Sequence, residues 1–216
     1  MKKSFTNYPN CHSGSRLDEF VARLFNFKRS GTYVDIGSAH AMHHNNSYFL
    51  DVHLDWDGIC VEMDPSWNET YQCRKHCQHI NGDATKVDYK QVFTDKGLPS
   101  SIDYLSLDVD VLDLEVIKML PTDYRFKVIG IEHDAYLHGD LYRAPQREFL
   151  LGAGYSLVCS DVLVRNANFE NCPFEDWYLD PACFGGDIIN KLTCNGSYPE
   201  DILNRGWGTN YTCYSY

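Results

Sequence analysis

The sequence predicts an α/β protein with a mostly parallel sheet, and three observations carry that expectation. Short β-rich runs alternate with stretches that suit helices, the pattern of βαβ units. Nearly every run finishes on an acid or a small polar residue, and the first, GTYVDIG at 31–37, closes on a glycine turn. A chain of 216 residues with 44% hydrophobic and 23% charged residues suits one domain with a full core.

The elements follow in order. Apolar residues at helical spacing (Leu17, Phe20, Val21, Leu24, Phe25) predict an amphipathic helix over 17–27. Strands are expected in GTYVDIG, DGICVEMD, the run ending at NGDAT, SIDYLSLDVD and RFKVIGIEHD. Between them, 47–54, 65–76 with proline in its first turn, 113–120 and 144–151 suit helices. After Tyr155 the run YSLVCSDVLVRN suits an antiparallel pair with a tight turn at its centre. The region 169–216 is rich in Asn, Gly, Pro, Trp and Tyr without a clear period. The expected organisation is a helical segment at 1–30, a cofactor-binding core at 31–165 and an aromatic, irregular extension at 166–216.

In an open parallel sheet the ligand sits beyond the carboxyl ends of the strands. That rim collects Asp35, Gly37, Glu62, Asp83, Asp108, Asp110, His133 and Asp134. Glu62, at the end of the second expected strand, suits the two hydroxyls of a ribose, and Asp83 suits an adenine edge. The dinucleotide fingerprint needs three glycines so that the backbone can close on a pyrophosphate, and Gly37 is followed here by Ala39 and Ala41. Asp35 is an odd residue for a buried strand unless it holds the loop or a ligand's cationic group. An adenosine without pyrophosphate and with a cationic centre describes S-adenosylmethionine.

The same segments resemble the FkbM-type methyltransferases, within the class I S-adenosylmethionine-dependent fold. The resemblance runs through TYVDIGSAHA, NNSYFLDVHLDWDGICVEMDP, NGDAT, IDYLSLDVDVLDLEVIKML, KVIGIEHDAY, GYSLVCSDV and PFEDWYLDP, about 17–181. It implies a three-layer Rossmann-like sandwich with a seven-strand, mostly parallel sheet and an antiparallel terminal hairpin. It also implies O-methylation of a small polyhydroxylated acceptor, a sugar or glycoconjugate. Carried across by residue, it makes Asp35, Gly37, Ser38 and Ala39 the first cofactor loop, Glu62 the ribose ligand and Met63 an adenine contact. Asp83 and Ala84 become the adenine-edge pair, and Asp108 lies beside the methyl group. The chain departs from the family in Ala39-His40-Ala41, where Asn-Asp-Gly is common, and in Val111-Leu112-Asp113, where a Gly-rich segment is common.

Asp108, Asp110, His133 and Asp134 finish neighbouring strands and form the expected acceptor-activating centre. Asp108, His133 and Asp134 are the catalytic candidates, with His133 as a general base oriented by an acid. Asp108, Asp110 and Asp134 are the candidate ligands of Mg2+ or Mn2+, which favour oxygen donors. His40, His43 and His44 read as lid or hydrogen-bonding residues rather than zinc ligands. The aromatic residues Trp177, Tyr178, Trp207, Tyr211, Tyr214 and Tyr216 read as packing, with stacking on a sugar as the alternative. Two other readings stand beside methyl transfer: a catalytically silent cofactor-binding interaction domain and a nicotinamide-dependent oxidoreductase.

A net charge of -11 opposes a nucleic-acid partner held through its phosphates, and no apolar run approaches a membrane span. The expected compartment is the cytoplasm. Nine cysteines and four N-x-S/T triplets, at Asn45, Asn68, Asn195 and Asn210, favour the secretory pathway as the alternative. Cys60, in an expected buried strand, reads as a small hydrophobe, whereas Cys172, Cys183, Cys194 and Cys213 suit either disulfides or a metal.

Overall fold

A computed structural model describes residues 13–165 and 170–205. Eight strands form one sheet: β1 (Thr32–Ile36), β2 (Asp57–Glu62), β3 (Cys77–Asn81), β4 (Ser101–Leu107), β5 (Arg125–Glu132), β6 (Ser156–Val164), β7 (Cys172–Leu179) and the two-residue β8 (Cys194–Asn195). Their order is β3-β2-β1-β4-β5-β7-β6-β8. The first five are parallel, β7 is antiparallel to both β5 and β6, and β8 runs parallel to β6. The order reverses between β1 and β4, so the ligand crevice is expected at the carboxyl ends of these two strands.

Helices cover both faces. α1 (Leu17–Leu24) buries Leu17, Phe20, Val21 and Leu24, the stripe expected from its spacing. With α2 (Tyr48–Leu54) it packs on the face that contains Trp56 and Trp177, where the Phe20 and Trp177 rings lie 4.4 Å apart. α3 (Tyr89–Lys96), α4 (Asp113–Met119) and α6 (Asp140–Gly152) cover the other face through Phe93, Val116, Ile117 and Leu150. A short α5 (Ala135–His138) links β5 to α6, and α7 (Gly186–Leu192) and α8 (Pro199–Leu203) flank β8. Among the described residues, no helix is long and apolar enough to cross a membrane.

Three expectations change. The run after Tyr155 is one strand, β6, and the residues read as a turn are a bulge: its register with β7 shifts there and Asp161 takes φ 53°. Its hairpin partner is β7, inside the stretch that showed no period. A strand buried along most of its length, here with Glu175 and Asp176 among its buried residues, lacks the alternation that marks a half-exposed strand. The segment at 65–76 is a 3-10 helix, Pro65–Cys73, capped by Asp64 on the Ser66 amide.

Cys60, Cys73, Cys77, Cys159 and Cys194 carry free thiols. Asn45 is 1% exposed and its side-chain amide donates to the Ser38 carbonyl, so this triplet is closed to glycosylation. Trp207, Asn210, Tyr211, Cys213, Tyr214 and Tyr216 lie outside the described residues.

Candidate active site

The loop after β1 is shaped by a turn that only glycine fits. Gly37 has φ +81°, and a Cβ there would lie 1.6 Å from the Asp108 carbonyl oxygen. The Gly37 and Ser38 amides both donate to the Val61 carbonyl, and Ser38 Oγ lies 2.6 Å from the Tyr71 hydroxyl. Behind the loop, the buried Arg74 guanidinium donates to Asp51, Asn45, Tyr33, Ser47 and the Ala41 carbonyl. Asp35 accepts from Ser47 Oγ at 2.5 Å, and burial pushes its carboxyl up to about 6 against the pull of Ser47 and Arg74.

Asp35 and Ser38 hold the loop through these contacts and are not among the residues that line the cavity in front of it. Asp35 has the first of the two uses that the sequence allowed for a carboxylate in a buried strand.

That cavity, of about 340 Å³, is lined by Gly37, Ala39, Glu62, Met63, Asp83, Ala84 and Asp108 among others, the remaining seven of the nine expected cofactor residues. Glu62 is fixed over it by two backbone donors, the Ala39 amide at 2.7 Å on Oε2 and the Asp64 amide at 2.7 Å on Oε1. Each carboxylate oxygen keeps a further lone pair for a ligand's hydroxyl. Asp83 caps the 3-10 turn Ala84–Lys86; Lys86 and Thr85 hold its carboxyl down at about 2. Met63 is 68% exposed at the cavity mouth.

At the β4 end the acids converge. The Asp108 amide continues the sheet by donating to the Ile36 carbonyl. Glu132, the last residue of β5, is 8% exposed and its side chain lies within hydrogen-bonding reach of both Asp108 and Asp134. Burial, then the neighbouring Asp108 carboxylate, drives the Glu132 carboxyl far above its usual range. Burial also raises Asp108, while the hydrogen bond from Glu132 acts against that rise. Burial and the neighbouring carboxylates thus favour the neutral form of Glu132, with Asp108 within reach as the acceptor of its hydrogen bond.

Sequence reasoning missed Glu132, although it stands in the EHD motif. The strand ends at Glu132, and the left-handed turn at Asp134 returns that carboxylate to Glu132, while the His133 ring faces Asp176. His133 is 2% exposed and outside the cavity lining. Its Nδ1 accepts from the Ala135 amide at 3.1 Å, and its Nε2 faces Asp176 at 3.4 Å. The expected general base is therefore not at the cavity.

The expected metal ligands do not converge either. Asp110 is exposed on a residue with φ 56°, and Asp108, Asp110 and Asp134 do not bring their oxygens together. Among the described residues, the set whose ligand atoms lie within 4.8 Å of one another is His133, Asp161 and Asp176. Both of those carboxylates are already engaged, Asp161 by Arg143 at 2.6 Å and Asp176 by Arg147 at 2.7 Å. Two guanidiniums balance two carboxylates, so this set needs no cation.

The remaining candidates take their structural readings. His40 Nδ1 accepts from the Met42 and His43 amides, which shapes the loop. Trp177 and Tyr178 are fully buried packing residues.

No family model matches the sequence, and no curated protein matches it. Solved structures do share its fold. TrmK from M. capricolum, in complex with S-adenosyl-homocysteine, has a TM-score of 0.50 at 13% identity over 76% of this chain and 67% of that one. A putative O-methyltransferase from Klebsiella pneumoniae has a TM-score of 0.52 at 13% identity over 76% of this chain and 79% of that one. The chain has the Rossmann-like fold of class I methyltransferases.

Proposed function

We propose that this chain is an S-adenosylmethionine-dependent O-methyltransferase of the FkbM type, acting on a hydroxyl of a sugar, glycoconjugate or other small polyhydroxylated acceptor. The observation that carries this reading is one cavity with two carboxylate stations. Glu62 is held by backbone amides at one side, and Asp108 backed by Glu132 stands at the other. The cavity suits the cofactor: the Gly37 turn presses close to β4, leaving no pyrophosphate-binding glycine loop, and Glu62 presents free lone pairs to a ribose diol.

S-adenosylmethionine supplies a methyl group on a positively charged sulfur. With that cofactor bound, Asp108 would take the proton that the acceptor's hydroxyl gives up on methylation. A carboxylate whose basicity is raised by burial suits this task better than an exposed one. Glu132 holds its proton throughout and donates to Asp108, fixing the orientation of the base. Asp134 lies within hydrogen-bonding reach of Glu132 as a third acid.

The acids around the cavity and the net charge of -11 favour a neutral acceptor over an anionic one. Neither a nucleic acid nor a phosphorylated sugar suits it.

Calorimetric titration with S-adenosylmethionine, S-adenosyl-homocysteine, NAD and NADP tests the cofactor. The first two should bind, and Glu62→Ala should weaken both by about 1.5–3 kcal/mol through loss of charged-group hydrogen bonds. Binding of NAD without S-adenosylmethionine overturns the reading. Transfer of labelled methyl groups to a panel of neutral sugars and glycoconjugates then tests the acceptor class. Cofactor binding without transfer to any hydroxyl compound would favour the silent binding domain.

A further inference from the structure

His133 is the residue that the site leaves without a use. Its ring is fully buried between the Ala135 amide at Nδ1 and an ion network facing Nε2, and Nε2 has no hydrogen-bond partner. The network is built by one face of α6. Arg143 reaches Asp161, Arg147 reaches Asp161 and Asp176, and Gln146 donates to the Glu132 carbonyl at 3.0 Å. Residues three and four apart lie on the same side of a helix, so these three side chains act together on the end of β5 and the interiors of β6 and β7.

Asp176 Oδ1 also accepts from the Asp161 amide at 2.8 Å, which fixes the bulge of β6. His133 Nε2 faces this anchored pair, 3.4 Å from Asp176 and 3.8 Å from Asp161. On the other side of the ring, Nδ1 accepts the Ala135 amide, just past the residue whose backbone is strained: Asp134 has φ 45°. The His133 and Asp134 amides both donate to the Phe174 carbonyl, at 2.9 and 3.1 Å. A non-glycine residue in the left-handed region persists only where its surroundings over-determine it.

We propose that His133 is a positioning residue: its ring ties the ion network of α6, β6 and β7 to the tip of β5, and holds Asp134 in the left-handed conformation that brings its carboxylate to Glu132. The charged groups that face the ring are Asp161 and Asp176, held by Arg143 and Arg147, while Asp108 and Asp134 face the adjoining Glu132, and Glu132 and Asp134 face Tyr136. The role in methyl transfer rests on the proposed function; the structural tie does not.

The test compares the wild type with His133→Asn and His133→Leu. Asparagine keeps an acceptor in place of Nδ1 for the Ala135 amide but has no atom where Nε2 stood; leucine has neither. The first readout is a carboxyl-carbon NMR titration, which needs no acceptor. The wild type should show a cavity carboxyl titrating far above the ordinary range. In His133→Leu that titration should move towards the ordinary range by a unit or more, and His133→Asn should fall between the two. The second readout is turnover of a responsive acceptor at saturating S-adenosylmethionine. It should fall tenfold or more in His133→Leu with cofactor affinity kept within twofold, and recover in part in His133→Asn.

Wild-type titration and turnover in both variants would overturn the proposal, as would a loss of cofactor affinity in proportion to turnover. If the leucine variant does not fold, the asparagine variant decides, and its unchanged titration is the overturning result. A wild type that binds no S-adenosylmethionine would sink the methyl-transfer reading, while the titration would still decide for or against the tie.

Discussion

Asp108 and Glu132 form an unequal pair, and the proposed function uses that inequality to make Asp108 a base. Glu132 is buried and driven further towards its neutral form, whereas Asp108 lines the cavity and its rise is opposed by the hydrogen bond with Glu132. Asp108→Asn removes the proton acceptor and should lower turnover by about a hundredfold or more, the range for losing a general base. Cofactor affinity, measured by calorimetry, should change little. Glu132→Gln keeps a donor towards Asp108 and should retain far more turnover than Glu132→Ala, which leaves Asp108 without its orienting hydrogen bond. Because burial raises Asp108, wild-type turnover should fall as pH drops through a value above the ordinary carboxylate range. A pH–rate profile that stays flat down to pH 4, or equal turnover in the two Glu132 variants, would remove Asp108 from the role of base.

The loop between β1 and α2 depends on an element far from it in sequence. Arg74, just past the 3-10 helix Pro65–Cys73, gives its hydrogen bonds to Asp51 and to groups at 33–47. Arg74→Met would leave Asp51 as a buried charge without its partner, a change that costs about 3–5 kcal/mol. Denaturant unfolding should show that loss, and amide exchange should quicken across the loop, with weaker S-adenosylmethionine binding as the consequence. Unchanged exchange at 39–47 would mean that the loop holds its own path.

This dependence also explains what was legible. The five parallel strands and the stations Gly37, Glu62 and Asp108 were readable, because a strand with its terminal acid is a local signal. Arg74 was not, because its five partners are 23 or more positions away. Strand β7 was hidden by its own burial, and Glu132 was passed over for the histidine beside it.

At the scale of the molecule, two deeply buried acids among the described residues, Asp35 and Glu175, set how stability follows pH. Burial pushes Asp35 from 3.8 up to about 6, and pushes Glu175 from 4.5 up to about 7 despite hydrogen bonds from Ser15 and Trp177. Both folded values lie above the unfolded ones, so the native state binds these protons more tightly. The stability they contribute is present in full below about pH 4 and is lost as pH rises through 6 and 7. Between pH 8 and pH 5 the gain is about 1 kcal/mol for Asp35 and about 2 kcal/mol for Glu175. Asp176 works in the opposite sense: Arg147 and His133 hold its carboxyl below the usual range against its burial, so its contribution is present at neutral pH and lost in acid. The two trends predict a stability maximum near pH 5, with a melting temperature about 5–10 °C higher there than at pH 8. Asp35→Asn keeps an acceptor for Ser47 but cannot ionise, so it should flatten part of that slope and match or exceed the wild type at pH 8. Thermal unfolding of both proteins at pH 5, 6, 7 and 8 measures this directly. A wild-type melting temperature that rises from pH 5 to pH 8, or an Asp35→Asn slope equal to the wild type's, would show that these acids ionise without penalty inside the fold.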